Sequence, residues 1–391
     1  MVGPRFELLE RTIEQRVQEL ADLEQNFSPV LDNESNIADE PTGGIWDRLK
    51  NTNKWELYTN FSEDHLLSLY RVMIPHANTH RRRGPLPKIS YADGLIILLT
   101  FYKTALEYDK LAAFLGFKLG TLKNAVDRMR PILYDTLHEL WLENRRRPTP
   151  LNETHFPHVA LLIDSTSTKV FRPKAPFQEA KMYWDGKNSM YALKKEVAVM
   201  ASKPHFCLFL QKGVIGSKHD YEYLKETFHL YIPYLQKMTE EFVQLPSDHG
   251  NQNWSALFDK GYVGPDNDTP GLRRITPKKN TSAYADLIEN EEKSKIRVPV
   301  ECFFGRQQKL WKIIRETYRW DHKNFDIDFD NCALLTNEHI KQNDLQEIDK
   351  NFALRIAGKR MIDDENNRNK RKAEQQNYRA KKRLRITAML N

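Results

Sequence analysis

The sequence predicts an α/β domain that follows a mostly helical N-terminal part. Three apolar runs, at residues 158–164, 195–201 and 254–259, have the length and continuity of buried β-strands. Residues 90–142 instead carry apolar side chains at steps of three and four, as amphipathic helices do. The alternation of strands and helices after residue 150 predicts a sheet with helices on its faces.

Composition limits the class of protein. At 391 residues the chain is long enough for two or three domains. Its longest apolar run, residues 94–102, is much shorter than the ~20 residues that cross a bilayer, and the N-terminus does not read as a signal peptide. The three cysteines are widely spaced and predict neither disulfides nor a zinc site. We therefore expect an intracellular protein without a membrane segment.

The positive charge is concentrated at the C-terminus. Residues 366–391 contain nine Lys or Arg and one Glu, so the rest of the chain is almost neutral. Basic clusters of this kind are typical of proteins that bind nucleic acids. Two of them resemble a bipartite nuclear-import signal: Lys370, Arg371 and Lys372, then Lys381, Lys382 and Arg383. The same tail could equally be a disordered arm on DNA phosphates.

The first 150 residues divide into two regions. Residues 1–57 contain a predicted helix at 6–27, either a short coiled coil or a docking helix, and a polar linker at 28–57. Residues 58–150 form a predicted helical domain, in which Ser62 is the expected N-cap of the first helix.

Residues 108–129 have the spacing of a helix-turn-helix. A short apolar helix is followed by a turn at Gly116 and by a second helix capped by Thr121. The candidates for DNA contact are Lys118, Lys123, Asn124 and Arg128. The alternative is an ordinary helical hairpin. An upstream basic loop is either a phosphate contact or solvated surface, and it contains Arg81, Arg82 and Arg83.

After residue 150 the predicted order is three strands, a helix, two strands and a helix. The strands at 158–164, 195–201 and 205–212 can pair antiparallel, and a helix at 220–238 follows them. Further strands at 254–259 and 272–277 come next in the chain.

The last helix of this domain is predicted over residues 298–315, where apolar residues recur at steps of three and four. Pro299 suits its first turn, which would place Glu301 at the rim of the buried face. Gly305 costs ~1 kcal/mol relative to Ala inside a helix, which predicts that another part of the chain approaches closely there.

Three acids could form one site. Asp164 and Asp259 each follow a predicted strand, and sites in open α/β sheets form outside strand carboxyl ends. They would lie side by side if their strands are neighbours, and Glu301 can complete the set. Crowded carboxylates stay ionised when cations pair with them, and all-oxygen ligand sets suit Mg²⁺ or Mn²⁺ in phosphoryl transfer. Alternatively, these acids are strand-end caps and solvated charges.

Five motifs carry a resemblance to a known family. They are Ile163-Asp-Ser-Thr166, Met182-Tyr-Trp-Asp-Gly-Lys187, Gly213-Val-Ile-Gly-Ser-Lys-His-Asp220, Phe258-Asp-Lys-Gly-Tyr-Val-Gly264 and Arg297-Val-Pro-Val-Glu-Cys-Phe-Phe-Gly-Arg306, with Lys309 after them. In this order and spacing they resemble the DDE superfamily endonuclease domain, and they are most similar to Harbinger-type (PIF/Harbinger) transposases. The resemblance covers residues 60–320 or so.

The resemblance implies an RNase H-like catalytic domain at residues 151–335, with a mixed five-stranded sheet flanked by helices, and a C-terminal extension at 336–391. It implies that Asp164, Asp259 and Glu301 form a triad that holds two divalent ions, Mg²⁺ or Mn²⁺. In the family, the enzyme cleaves DNA at transposon ends and joins the freed 3′-OH to target DNA. Other residues at motif positions are Lys187, Lys260, Arg306 and Lys309 for DNA contact, and His219 and Asp220 in a supporting role. For Lys187, Lys260 and Lys309 the alternative is a structural salt bridge.

The resemblance also implies partners. These are double-stranded DNA at the transposon ends and the target, further copies of the chain in a dimer or larger assembly, and a Myb-like DNA-binding protein. The basic tail offers this chain its own route to the nucleus. The alternative function is that of a non-catalytic DNA-binding or regulatory protein derived from a transposase.

Overall fold

The computed structural model describes residues 41, 43–80, 87–151, 155–244, 248 and 250–352, and the isolated positions 354, 355, 358, 362, 369 and 376. The predicted helix at 6–27 lies outside the described residues. So do the basic positions Arg81, Arg82, Arg83, Lys370, Arg371, Lys372, Lys381, Lys382 and Arg383. None of the described helices is both long enough and apolar enough to span a bilayer.

The chain before the sheet is helical. Its described helices are α1 (Gly44–Thr52), α2 (Trp55–Thr59), α3 (Glu63–Thr79), α4 (Tyr91–Thr104), α5 (Tyr108–Leu115) and α6 (Leu119–His138). A π-helical turn, Glu139–Glu143, extends α6. Ser62 caps α3 as expected, because its hydroxyl accepts a hydrogen bond from the amide of His65 at 3.4 Å.

Part of the segment predicted as a linker is folded. Helices α1 and α2 bury Trp46 and Trp55, whose rings pack edge to face with centroids 4.9 Å apart. The Asp93 carboxylate of α4 accepts hydrogen bonds from the amides of Ile45 and Trp46 at 3.0 and 2.9 Å, and so caps α1. The linker prediction therefore fails from residue 44 onwards. The reason is that the cap comes from a residue almost 50 positions away.

The sheet is mixed and flanked by helices, as predicted. Its described strands are β1 (Val159–Lys169), β2 (Trp184–Asp185), β3 (Met190–Met200), β4 (Cys207–Leu210), β5 (Val214–Ile215), β6 (Ser255–Phe258) and β7 (Arg274–Ile275). The central strand β1 is antiparallel to β3 and parallel to β6, and β6 is parallel to β7. The short strands β2, β4 and β5 each pair with a different part of the other edge of β3. They share one position in the sheet, so the seven strands form a sheet that is five strands wide.

The helices around the sheet are α7 (Phe177–Met182), α8 (Asp220–Thr227), α9 (Ile232–Leu235), α10 (Glu241–Gln244), α11 (Tyr284–Leu310), α12 (Lys312–Arg315) and α13 (Phe325–Ile340). Helix α11 packs against β1, β3 and β6. The helix predicted at 220–238 is divided, because a 3-10 turn, Phe228–Leu230, separates α8 from α9. An extended residue, Gln236, then ends α9.

Helix α11 begins 14 residues earlier than predicted, at Tyr284 rather than residue 298. Pro299 therefore lies inside the helix, and Glu301 lies in its middle rather than in its first turn. The charged stretch before Pro299 stays helical because it contains ion pairs at i, i+4: Glu289 with Lys293 at 2.6 Å, and Glu291 with Lys295 at 2.8 Å.

Helix α13 joins the helical part to the sheet. Asp328 is fully buried and accepts hydrogen bonds from Arg130 of α6 at 2.7 Å and from Tyr102 of α4 at 2.9 Å. Further along α13, the Asn337 amide exchanges two hydrogen bonds of 2.8 Å with the backbone of Cys207 on β4. The described residues from 41 onwards accordingly form one compact unit.

The close approach expected at Gly305 is present. A Cβ atom at this position would lie 1.9 Å from the backbone oxygen of Asp349. The next residue, Arg306, donates hydrogen bonds to the Asp349 carboxylate at 2.9 and 2.7 Å. The glycine thus lets the C-terminal region pack directly on α11.

We expect Gly305→Ala to destabilise the protein by about 1–3 kcal/mol, the usual cost of overpacking, because the backbone of Asp349 would have to move. Gly120→Ala in α6 is the matched control: a Cβ there meets no atom within 4 Å, and we expect a gain of up to about 1 kcal/mol. Urea unfolding followed by circular dichroism measures both. Equal unfolding midpoints for the two variants would contradict the close packing.

Glu196 on β3 is a fully buried acid. Its Oε1 atom accepts hydrogen bonds from the hydroxyls of Tyr231 at 2.6 Å and Thr227 at 2.8 Å. Burial raises the pKa of Glu196 to about 7, although these hydroxyls act in the opposite direction. The folded protein therefore favours the protonated acid.

Because the folded pKa of Glu196 lies above the usual value of 4.5, its favourable contribution is complete at acid pH and is lost as pH rises through 7. We expect Glu196→Gln to remove this dependence. The free energy of unfolding of the variant, relative to the natural protein, should rise by about 2–3 kcal/mol between pH 5 and pH 8. Denaturant unfolding at several pH values checks this, and a difference that does not change with pH would refute it.

Candidate active site

Asp164 and Asp259 lie side by side where β6 ends. The parallel register of β1 and β6 pairs Ile163 with Phe258, the residues directly before the two acids. Strand β6 stops at Phe258, whereas β1 continues to Lys169 paired with β3. The sequence predicts that Asp164 follows the end of its strand, but in the structure Asp164 lies in the middle of β1. It still faces the edge that β6 leaves open.

A guanidinium lies between the two carboxylates. Arg297 of α11 donates from Nη2 to Oδ2 of Asp164 at 2.7 Å and from Nη1 to Oδ1 of Asp259 at 3.1 Å. Arg297 is 8 % exposed. Lys187, on the turn after β2, approaches Asp259 Oδ2 to 3.4 Å. The chain thus supplies the positive charge that a pair of neighbouring acids needs.

The two acids differ in proton affinity. Burial raises the pKa of Asp164 to about 6, because the loss of hydration outweighs the attraction of Arg297. Burial acts on Asp259 as well, but Arg297, the Lys260 amide and Lys187 together outweigh it and hold the pKa of Asp259 below its usual value. At neutral pH both side chains are ionised around the guanidinium.

Glu301 does not join this pair. It lies one helical turn after Arg297 on the same face of α11, but its Oε2 atom is 3.0 Å from Nζ of Lys350. Among the described residues, no three His, Cys, Asp or Glu side chains lie close enough to one another to hold a metal ion. The structure therefore brings two acids of the predicted triad together and pairs the third with a separate cation.

Asp220 contacts Ser165, the residue next to Asp164. It opens α8, is buried, and accepts hydrogen bonds from the Ser165 hydroxyl at 2.6 Å and from Lys194 Nζ at 3.1 Å. The amide of Ser165 in turn donates to Asp164 Oδ1 at 2.8 Å. His219, the N-cap of α8, is exposed and its side chain makes no capping hydrogen bond.

Asp185 shapes the turn that carries Lys187. It is 2 % exposed. Its carboxylate accepts hydrogen bonds from the amides of Lys187 and Asn188 at 3.0 and 3.2 Å and from the Ser167 hydroxyl of β1 at 2.6 Å. The turn is therefore held to the central strand, and Lys187 is held beside Asp259.

Two of the predicted DNA contacts have structural roles instead. Arg128 donates to the carbonyl oxygen of Ile89 at 2.8 Å and lies over the ring of Tyr91. Arg306 is 5 % exposed and is bound to Asp349 and to backbone carbonyl groups. The Arg306 guanidinium is enclosed by its contacts, whereas Arg128 is partly exposed. The other candidates are exposed: Lys118, Lys123, Asn124, Lys187, Lys260 and Lys309.

The predicted helix-turn-helix spacing corresponds to α5 and α6. Gly116 ends α5 with a φ of 79°, a left-handed conformation that glycine adopts readily. Helix α6 begins at Leu119 after Lys118, so Thr121 is not its N-cap as predicted. The side chain of Lys118 makes no cap hydrogen bond, and Lys123 projects from the first turns of α6 as an exposed residue.

Among the described residues, three cations contact the predicted triad: Lys187, Arg297 and Lys350. The sequence assigns no role to Arg297 beyond its place in a motif, and it does not indicate Lys350. Arg297 could have been found, because it lies four residues before Glu301 and thus on the same helical face. Lys350 could not, because it comes from a segment almost 50 residues further along the chain.

Comparison with protein families gives a match over residues 163–337 to the family described as DDE superfamily endonuclease. The matched range contains Asp164, Asp259 and Glu301 together with most of the sheet and all of α11. Comparison with curated proteins and with solved structures gives no match. The match indicates a transposase-like nuclease, an enzyme class that acts on DNA and generally uses divalent metal ions.

Proposed function

We propose that this protein is a DDE transposase, an endonuclease that cleaves DNA at transposon ends and joins the freed 3′-OH to target DNA. The observation that carries the proposal is the register of β1 and β6, which places Asp164 beside Asp259. Helix α11, which carries Glu301, packs over the same strands. All three acids lie in the range that matches the DDE superfamily endonuclease family.

The order of the strands supports an RNase H-like catalytic domain. Antiparallel pairing connects β1, β3 and the short strands outside β3, and parallel pairing then adds β6 and β7 on the other side. This arrangement of five positions is the one that the resemblance implies. Asp259 follows the carboxyl end of β6, where sites in α/β sheets form, and Asp164 lies beside it on β1.

The residues of the site fit divalent cations. The donors are carboxylate oxygens, the ligands that Mg²⁺ and Mn²⁺ prefer, and the Asp164–Asp259 pair already accommodates a cationic group in Arg297. Asp164, Asp259 and Glu301 would hold the ions, with Glu301 released from Lys350. Two such ions, when bound, stabilise the attacking and leaving oxygens of a phosphodiester.

The chain's own residues position these ligands and the substrate. The Ser165 amide orients the Asp164 carboxylate, and Asp220 holds the Ser165 hydroxyl from the opposite side. Lys187 is 65 % exposed and lies beside Asp259. It can therefore bind a phosphate next to the bond that is cleaved, and exposed Lys260 can do the same.

We further propose a Harbinger-type element, whose transposase acts in the nucleus as a dimer or larger assembly and with a Myb-like partner. The five sequence motifs support the subtype, and the basic tail supports nuclear entry. In this proposal α5 and α6 bind double-stranded DNA through exposed residues Lys118, Lys123 and Asn124.

A second candidate function is DNA binding without catalysis. The ion pairs of Arg297 with both aspartates and of Lys350 with Glu301 favour it, because they occupy the carboxylates that catalysis would use. The match over residues 163–337 does not distinguish an active enzyme from a derived binding protein.

We expect Asp164→Asn to lower the Mg²⁺- or Mn²⁺-dependent nicking of supercoiled plasmid by about 10²-fold or more, the scale of losing a preorganised electrostatic contact, while DNA binding persists. Asp47→Asn, an exposed acid of α1, is the matched control and should nick like the natural protein. Undiminished nicking by Asp164→Asn would refute the triad. Tight DNA binding without nicking by the natural protein would favour the second candidate.

The exposed lysines of the α5–α6 pair generate a separate prediction. Replacing Lys118 and Lys123 together by Ala should weaken DNA binding and reduce the slope of log K against log salt by about 1.8, because ~0.9 is lost for each phosphate contact. Lys50→Ala on α1, also exposed, should leave the slope unchanged. Fluorescence anisotropy with a labelled DNA duplex, repeated across a salt series, measures the slope for each variant. An unchanged slope in the double variant would place the DNA contact elsewhere.

A further inference from the structure

Arg297 is a buried cation on the helix that carries Glu301. Its two terminal nitrogens contact different carboxylates, Asp164 at 2.7 Å and Asp259 at 3.1 Å. In the described part of the chain these two acids are its ion-pair partners, and its Nε atom has no hydrogen-bond partner. The guanidinium is thus aimed at the aspartate pair alone.

The aspartates depend on this cation. Their side chains are 13 % and 23 % exposed, so water screens their mutual repulsion poorly. Lys187 also faces Asp259, but it is 65 % exposed and 3.4 Å away. Asp220 and Lys194 lie behind Asp164, where they pair with each other at 3.1 Å. Arg297 is therefore the main counter-charge that holds the two acids at the same edge.

A planar guanidinium is suited to this task. It presents separate N–H groups in a rigid fork, so one side chain can bridge two carboxylates. A lysine has one ammonium and would favour one acid over the other. A divalent ion held between the two acids would compete with Arg297 for these carboxylates, which Arg297 contacts through Asp164 Oδ2 and Asp259 Oδ1. A guanidinium and a divalent ion cannot occupy these oxygens together.

We propose that Arg297 is a positioning residue that keeps Asp164 and Asp259 assembled in the metal-free protein and exchanges with the divalent ion at the same oxygens. This rests on the proposed function for the identity of the carboxylates as metal ligands. The new element is that Arg297, a cation of the chain itself, lowers the affinity of the two aspartates for the metal ion. The two aspartates of the natural protein are then in place before a metal ion binds. The natural protein binds the ion more weakly than a variant without Arg297 would.

Two consequences distinguish this role from ordinary packing. Without metal, Arg297→Met leaves two buried carboxylates without their counter-charge, so its melting temperature in EDTA should fall by about 5–10 °C. With Mn²⁺, the variant has no competitor for the oxygens, so its Kd for Mn²⁺ should be at least about tenfold lower than that of the natural protein. Mn²⁺ should therefore raise its melting temperature more.

The experiment uses the full chain and Mn²⁺ alone, with thermal unfolding and calorimetric titration as readouts. Arg297→Lys should give intermediate values. Arg319→Met is the matched control, because Arg319 also pairs with an acid, Glu107 at 2.8 Å, but outside the site, and it should bind Mn²⁺ like the natural protein. Should Arg297→Met be too unstable to purify, adding Asp164→Asn removes one of the two repelling charges and should restore folding.

The outcomes separate the two proposals. If Arg297→Met binds Mn²⁺ no more tightly than the natural protein and its melting temperature rises no further with Mn²⁺, exchange at these oxygens is refuted and the metal site stands. If neither protein binds Mn²⁺ although both are folded, the proposed metal-dependent function fails as well. If Asp164→Asn does not recover the folding lost in Arg297→Met, Arg297 acts through other contacts and the positioning role is refuted.

Discussion

The site depends on one constraint: two acids placed at the same sheet edge must share a cation. The register of β1 and β6 brings Asp164 and Asp259 together, and their burial makes the repulsion between them large. Arg297 supplies the positive charge that offsets this repulsion. It lies on α11, which packs across the same strands. The position of α11 on the sheet is therefore tied to the charge of the site as well as to its apolar contacts.

The C-terminal region is part of the same arrangement. Asp349 packs on α11 at Gly305 and pairs with Arg306, while Lys350, the next residue, reaches Glu301. A segment that lies beyond the range matched to the endonuclease family thus holds both the helix and the third acid. In the proposed function Glu301 would have to leave Lys350 before it could join the two aspartates.

The sequence was sufficient for elements with strong periodicity. It predicted that Asp164 and Asp259 lie side by side on the condition that their strands are neighbours, which the pairing of β1 with β6 meets. It predicted the mixed sheet, the helical N-terminal part and the close approach at Gly305. The predictions from the sequence were wrong where a contact with a residue distant in the chain determines the local structure. Asp93 caps α1 and turns a polar stretch into a helix, and β3 pairs with β1 beyond Asp164 and so extends that strand. The ion pairs of Arg297 and Lys350 depend on tertiary packing, which periodicity does not encode.

Helix α13 sets the geometry between the helical part and the site. On one side its Asp328 binds Arg130 of α6 at 2.7 Å, and on the other its Asp330 binds Lys195 of β3 at 2.7 Å, both in buried surroundings. Removing Arg130 or Lys195 would leave the buried carboxylate of Asp328 or Asp330 without its cation, which costs about 3–5 kcal/mol. Helix α6 also carries Lys123, two turns before Arg130. If Lys123 binds DNA as proposed, these buried pairs connect that contact to the sheet that carries the aspartates.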